Sequence, residues 1–83
     1  MNVKSMGRAG KALGLVLKNY GINQNQLAIA MNVDRSNISR WLAETREPSA
    51  ESVLEIRDAL ESFDATAAEE FTRLYWGKDE LEE

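Results

Sequence analysis

The apolar residues near the start of the chain recur with the period of an amphipathic helix. Between Ala9 and Tyr20 they fall three or four positions apart, which places them on one face of a helix. Gly21 follows, and glycine readily adopts the left-handed conformation that ends a helix. Gly14 lies inside the apolar stripe at a cost of about 1 kcal/mol relative to alanine, so we expect another helix to approach closely there.

Four further helices are predicted by a repeated starting signal. Each has a side chain that can accept hydrogen bonds from the first free N–H groups, with an apolar residue before it and another four positions into the helix. These capping residues are Asn23, Asp34, Ser49 and Asp64. We expect the helices after the first two caps to run to Met31 and to about Glu44. No segment alternates like a strand, so the predicted fold class is all-α, a compact five-helix bundle.

The second and third predicted helices are joined by a very short connection. Only Asn32 and Val33 separate the second helix from the cap of the third, and asparagine tolerates the left-handed backbone of a sharp turn. Apolar residues of both helices, such as Ile38 and Trp41, then meet in one core, which leaves the outer face of the third helix polar. A helix-turn-helix over residues 23–42 is therefore predicted. Its polar face carries Arg35, Ser36, Asn37, Ser39 and Arg40.

The composition narrows the possible chemistry. A chain of 83 residues supports one hydrophobic core, and this one contains no Cys and no His. Disulfides, Cys/His zinc sites and nucleophiles activated by histidine are therefore excluded. The later carboxylates alternate with arginines, as in the pairs Arg57–Glu61 and Glu69–Arg73, which is typical of a solvated helix face. We expect no enzyme, no cofactor and no metal. With no leader-like or membrane-spanning stretch, a cytoplasmic location is expected.

The net charge of -4 conceals two halves of opposite sign. Up to Arg46 there are seven basic and two acidic residues, whereas three basic and twelve acidic residues follow it. A polyanion would be attracted to the first half and repelled by the second, so a nucleic-acid surface is expected in the first. By itself the asymmetry is equally compatible with a solvated surface. Lys11 and Lys18, on the solvent face of the first predicted helix, fit ordinary solubility as well as phosphate contact.

The segment from Gln24 to Trp41 resembles the helix-turn-helix of the phage repressor and Cro type, the Xre family. The shared pattern consists of Gln24, Leu27-Ala28, Asn32, Ile38-Ser39-Arg40-Trp41 and the later Arg46-x-Pro48-Ser49. The resemblance covers residues 9 to about 60. Two positions depart from it, because Asn32 in the turn and Glu44 after the third helix stand where the family usually has glycine. We therefore expect the loop after Glu44 to be shaped differently.

This resemblance implies a DNA-binding domain of the lambda repressor type over residues 1–77, followed by an acidic C-terminal tail over residues 78–83. It implies a sequence-specific regulator of transcription that binds double-stranded DNA in the nucleoid. We expect a repressor that acts by occupying its operator. The chain is too short to add a ligand-sensing domain, so we expect regulation through concentration, a partner or proteolysis.

The resemblance also implies which residues contact DNA. The third helix enters the major groove, where Arg can bind guanine O6 and N7 and Asn can bind adenine N6 and N7. The start of the second helix and the loop near Arg46 bind phosphates, since free N–H groups at a helix start favour an anion. The candidate DNA-binding residues are Gln24, Asn25, Arg35, Ser36, Asn37, Ser39, Arg40 and Arg46.

The expected partners include a second copy of the chain. One recognition helix reads only a few base pairs, so we expect a homodimer on half-sites about 34 Å apart. The last helix offers Tyr75 and Trp76 as an interface, while Phe71 and Leu74 are equally suited to complete the monomer core. Two alternatives to a DNA regulator are an antitoxin-like protein whose acidic half binds a basic toxin and a protein-interaction bundle that keeps only the fold.

Overall fold

The computed structural model describes residues 7–77, and five helices make up most of this part of the chain. They are α1 (Arg8–Tyr20), α2 (Gln24–Met31), α3 (Arg35–Leu42), α4 (Ala50–Phe63) and α5 (Ala65–Trp76). No strand occurs among the described residues, and the predicted all-α fold is confirmed. None of the five helices has the length and apolar character that a membrane crossing requires. The predicted acidic tail over residues 78–83 lies outside the described residues.

One apolar core joins all five helices. Each helix contributes at least one fully buried side chain, for example Leu13, Leu27, Ile38, Ile56 and Phe71. Burial of an apolar side chain of this size stabilises the fold by about 1.5–3 kcal/mol. Phe71 and Leu74 are only 1% and 5% exposed, so they complete the monomer core and are not available to a second copy.

The predicted helix starts are all found. The side chain of Asn23 accepts from the backbone N–H of Gln26 at 2.8 Å, and the side chain of Gln26 accepts from the backbone N–H of Asn23 at 2.9 Å. This reciprocal pair satisfies two N–H groups that a helix start would otherwise leave free. Asp34, Ser49 and Asp64 also accept from backbone N–H groups in the first turns of their helices. Local sequence therefore determines where each of these helices begins.

The close approach to α1 occurs at Gly10, one turn before Gly14. A Cβ on Gly10 would overlap the backbone carbonyl oxygen of Trp41 in the last turn of α3. At Gly14 a Cβ would lie 3.8 Å from a methyl carbon of Leu42, which is an ordinary contact. The prediction for Gly14 was wrong, because the backbone of α3 sets the approach and the apolar stripe of α1 carries no information about it.

The end of α3 also differs from the prediction. The helix ends at Leu42, two residues earlier than expected, and Glu44 follows with a φ of 63°. This is the left-handed conformation that favours glycine, and Asn32 adopts it too, with a φ of 58°. The side chain of Glu44 lies over Gly7, whose N–H donates to the carboxylate of Glu47. The loop after α3 is therefore held against the start of α1.

Two ion pairs within α4 and α5 join residues that are one and three positions apart. Arg57 pairs with its neighbour Asp58 and Arg73 pairs with Glu70, each at 3.1 Å. In these pairs the arginine side chains are about half exposed, so water and salt screen the attraction and each contributes little to stability.

Candidate nucleic-acid interface

The helix α3 buries one side and presents the other to solvent. Ile38 and Trp41 are buried against the core, and the last turn rests on Gly10 of α1. This packing turns four predicted contact residues outward, all of them exposed: Arg35, Ser36, Ser39 and Arg40. They form the outer face of α3, a row of hydrogen-bond donors on a rigid element.

Hydrogen bonds organise the first turns of the outer face. A guanidinium nitrogen of Arg40 donates to the hydroxyl oxygen of Ser36 at 3.4 Å, and the N–H of Ser36 donates to Asp34 at 2.9 Å. The backbone and side chain of Ser36 lower the pKa of Asp34, and the charges of Arg40 and Arg35 lower it further. Asp34 is therefore ionised at neutral pH. The two arginines near it, Arg35 and Arg40, are exposed to solvent.

A side-chain hydrogen bond joins the two helices of the turn. The hydroxyl group of Ser39 donates to the side-chain oxygen of Gln24 at 2.9 Å. Since this bond engages the oxygen, the amide nitrogen of Gln24 can donate to another group. Asn25 is exposed beside it in the first turn of α2. The structure thus places Gln24 and Asn25 next to the outer face of α3. The hydrogen bond from Ser39, a residue of that face, to Gln24 connects the two helices.

The structure places Asn37 at the side of α3, half-buried, and not among the four exposed residues of the outer face. It lines a hollow of about 250 Å³ together with Arg46 from the loop before α4. Ser49 and Ser52 line the same hollow, although sequence reasoning did not include them. Two predicted contact residues from separate segments therefore meet there, next to two hydroxyl groups at the start of α4.

Lys18 is a basic residue that sequence reasoning left undecided. It is exposed near the end of α1 and lines a hollow of about 300 Å³ with Asn23 and Gln24 at the start of α2. The turn at Gly21, with a φ of 66°, reverses the chain and brings these residues together. That glycine was the available signal, because residues on either side of a tight turn become neighbours. Lys18 adds a positive charge next to the candidate phosphate-binding end of α2.

The second half of the molecule presents the opposite charge. Exposed carboxylates on α4 and α5 include those of Glu51, Glu55, Asp58, Glu61 and Glu69. Within residues 7–77, no three acidic side chains come together in a group that could hold a metal ion. In the folded domain, exposed carboxylates are therefore frequent on α4 and α5, whereas the exposed basic residues of the first half lie on α1, on α3 and in the loop at Arg46.

A protein-family model described as helix-turn-helix matches residues 13–64 of this chain. The match covers more than half of the 83 residues, from the middle of α1 to the cap of α5. All the candidate contact residues from Gln24 to Arg46 lie within it. Comparison with curated proteins and with solved structures gives no match.

Proposed function

The chain belongs to the helix-turn-helix family of the phage repressor and Cro type, and on this basis we propose that it is a sequence-specific repressor of transcription that occupies its operator. The observation that carries the proposal is the outer face of α3. Its side chains are polar and rich in donors, while Ile38 and Trp41 hold the opposite side in the core. A helix of this width fits the major groove of double-stranded DNA, which is about 12 Å wide.

In this proposal four residues of α3 read bases. Arg35 and Arg40 present paired donors suited to guanine, and Asn37 presents a donor and an acceptor suited to adenine. Ser36 stands between the arginines and can donate to or accept from a base edge or a phosphate. Because Asn37 lies at the side of α3, its base would be at the edge of the site and within reach of Arg46.

The phosphate contacts in this proposal flank the reading helix on both sides. Gln24 and Asn25 lie at the start of α2, where free N–H groups favour an anion, and Lys18 lies beside them. Arg46 contacts a phosphate on the other side of α3. Ser39 holds Gln24 in place through their hydrogen bond. These contacts set the position of α3 on the duplex without reading sequence.

We propose that the repressor is a homodimer formed through the end of α5. Trp76 is 68% exposed and Leu54 is 51% exposed. Both line a hollow of about 260 Å³ with the half-buried Tyr75. Exposed aromatic residues are enriched at protein interfaces. A two-fold pair of domains would place two copies of α3 in successive major grooves, about 34 Å apart.

The proposal is tested by selecting bound sequences from a pool of random duplexes at a stated salt concentration. We expect one motif to be enriched, repeated as two half-sites about one DNA turn apart. The double variant Arg35→Ala/Arg40→Ala should lose the motif, and Arg57→Ala/Arg73→Ala, which removes an equal charge from α4 and α5, should keep it. A pool in which no motif is enriched would contradict sequence-specific binding.

The phosphate contacts have their own signature in the dependence of affinity on salt. The affinity should fall steeply as salt rises despite the acidic composition, and Arg46→Ala should reduce the slope of log affinity against log salt by about 1. The change in slope should be the same on the selected duplex and on a scrambled one. An affinity that does not depend on salt would exclude DNA as the ligand.

The acidic exposed surface of α4 and α5 favours a second candidate, an antitoxin-like protein that binds a basic partner through this surface. The test is calorimetric titration with the small basic product of a neighbouring gene. Tight binding that Glu51→Lys/Glu55→Lys abolishes and Arg35→Ala preserves would support this role. Binding that is lost in both variants, or absent from the parent, would contradict it.

A further inference from the structure

Two adjoining hollows form one continuous groove along α1. The first has a volume of about 460 Å³ and begins at Gly10, with Leu15 on its wall. The second has a volume of about 300 Å³ and extends past Ile22 to Gln24. Both are lined by Gly14, Lys18 and Leu42. This α1 groove therefore runs from the start of α1 to the start of α2.

The α1 groove combines apolar surface with a basic rim. Leu15 is 44% exposed, and Leu42 is half-buried on the facing side. Lys11 and Lys18 are both exposed along the groove, and Glu44 is the acidic residue that lines its first end. A segment that fits this groove has an apolar side chain that can pack on the two leucines and carboxylates that can pair with the two lysines. Its carboxylates must lie away from Glu44, which would repel them.

A segment with this chemistry follows α5 in the same chain. Residues 78–83 read Lys-Asp-Glu-Leu-Glu-Glu, so that Leu81 stands among four carboxylates and one lysine. This tail lies outside the described residues, but its starting point is known. The side chain of Arg8 donates to the carbonyl oxygen of Tyr75 at 2.6 Å, which holds the end of α5 beside the start of α1.

The tail is long enough to follow the α1 groove. Six extended residues reach about 20 Å. The distance along the helix axis from Arg8, beside which α5 ends, is about 10 Å to Leu15 and about 15 Å to Lys18, at 1.5 Å per residue. The tail can therefore place Leu81 near Leu15 and still bring its last carboxylates to Lys18.

We propose that residues 78–83 dock in the α1 groove of their own chain and compete there with DNA. Leu81 packs on Leu15 and Leu42, and the adjacent carboxylates pair with Lys11 and Lys18. The competition rests on the proposed function, because Lys18 stands beside Gln24 at the candidate phosphate site. The docking itself does not depend on it. The domain thus carries an acidic segment that occupies the place of a phosphate when DNA is absent.

The hollow beside Trp76 is an alternative binding place for Leu81, but the negative charge around it disfavours the acidic tail. This hollow is apolar and close to the end of α5, with Ala50 and Leu54 on its α4 side. Each of these two residues is followed in the sequence by an exposed glutamate, Glu51 and Glu55. Carboxylates of the tail would be repelled there, whereas the two lysines attract them to the α1 groove.

Engineered cysteine pairs test the docking without DNA, because the chain has no cysteine of its own. We compare Leu15→Cys/Leu81→Cys with the control Leu54→Cys/Leu81→Cys, which reports on the hollow beside Trp76, at a protein concentration at which sedimentation shows a monomer. Circular dichroism checks that both are folded. Under mild oxidation at low salt, the first pair should form an intramolecular disulfide about tenfold faster, and added salt should slow it. Equal rates, a faster control, or mainly disulfide-linked dimers would overturn the proposal.

Binding to the selected duplex tests the competition. Deletion of residues 78–83 should raise affinity about three- to tenfold, because the groove is then always open. Leu81→Ser retains every charge and should give most of that gain. If Leu81→Ser binds like the parent while the deletion still gains, the tail acts by repulsion at a distance and docking is wrong. If no variant binds the duplex, the proposed function fails, and the disulfide rates still decide whether the tail docks.

Discussion

The helices α3 and α5 both begin at an aspartate cap, yet they are held in the fold by different means. The twelve residues of α5 include four that are buried: Ala67, Ala68, Phe71 and Leu74. The eight residues of α3 include only two, Ile38 and Trp41. The helix α5 is positioned by buried apolar area. The helix α3 keeps its outer face exposed, and besides the burial of Ile38 and Trp41 it is positioned by close contacts with the backbone of Gly10 and the side chain of Gln24.

The largest expected effect is on stability, from truncation of the buried face of α5. Phe71→Ala should lower the free energy of unfolding by about 3–5 kcal/mol, since it leaves a cavity in the centre of the core. Trp76→Ala removes a larger but exposed side chain from the same helix and should lower it by less than about 1 kcal/mol at low protein concentration. Urea unfolding measures both values. Sedimentation at high concentration should then show weaker association for Trp76→Ala, and equal losses of stability in the two variants would contradict the comparison.

Two glycines of α1 test the positioning of α3 by close approach. Gly10→Ala should destabilise the domain by about 1–3 kcal/mol, because the added methyl group displaces the backbone at Trp41. Gly14→Ala meets only an ordinary contact and should stabilise the domain by up to about 1 kcal/mol through better helix propensity. Thermal unfolding distinguishes the two signs. Stabilisation by both substitutions would mean that α3 is not held at Gly10.

The outer face of α3 should matter for binding and little for stability. Arg35→Ala and Asn37→Ala should each weaken binding to the selected duplex by about 1–3 kcal/mol and broaden the consensus. Binding to a scrambled duplex should change less, and the unfolding midpoint of Arg35→Ala should stay close to that of the parent. The matched control is Arg73→Ala on α5. Equal losses on both duplexes would show that these residues do not read bases.

The smallest expected effect is on the pKa values of the two aspartate caps, Asp34 of α3 and Asp64 of α5. Hydrogen bonds from Ser36 lower the pKa of Asp34, and the charges of Arg40 and Arg35 add to this, whereas the pKa of Asp64 is lowered by hydrogen bonds from Thr66 and Ala67. A lowered pKa in the folded state means that folding favours the ionised form. Its stabilisation is present above the unfolded pKa and is lost as the pH falls below about 4.

Arg40→Gln should therefore raise the pKa of Asp34 and leave that of Asp64 unchanged. Titration of the side-chain carboxyl carbons by NMR measures both values in one experiment. Movement of both pKa values, or of neither, would show that the arginine charge does not act on the α3 cap.

Features that depend on neighbouring residues were predictable from the sequence. The helix starts at Asn23, Ser49 and Asp64 follow from side chains that bond within three residues, and the buried stripes follow from helical periodicity. Features that join distant segments were not. The approach at Gly10 depends on where the backbone of α3 ends, and the half-buried position of Asn37 depends on the loop that carries Arg46. No spacing in the sequence encodes either relation.

The hydrogen bond between Ser39 and Gln24 has a consequence for the shape of the DNA. Together with the core that α2 and α3 share, it sets the distance between the start of α2 and the outer face of α3. If one grips a phosphate while the other reads base edges, as proposed, neither contact can adjust to a wider or narrower groove. The duplex must then twist or bend to fit, at a cost set by the stiffness of its base steps. Under the proposed function, this pair of helices would therefore discriminate among DNA sites at base pairs that it never touches.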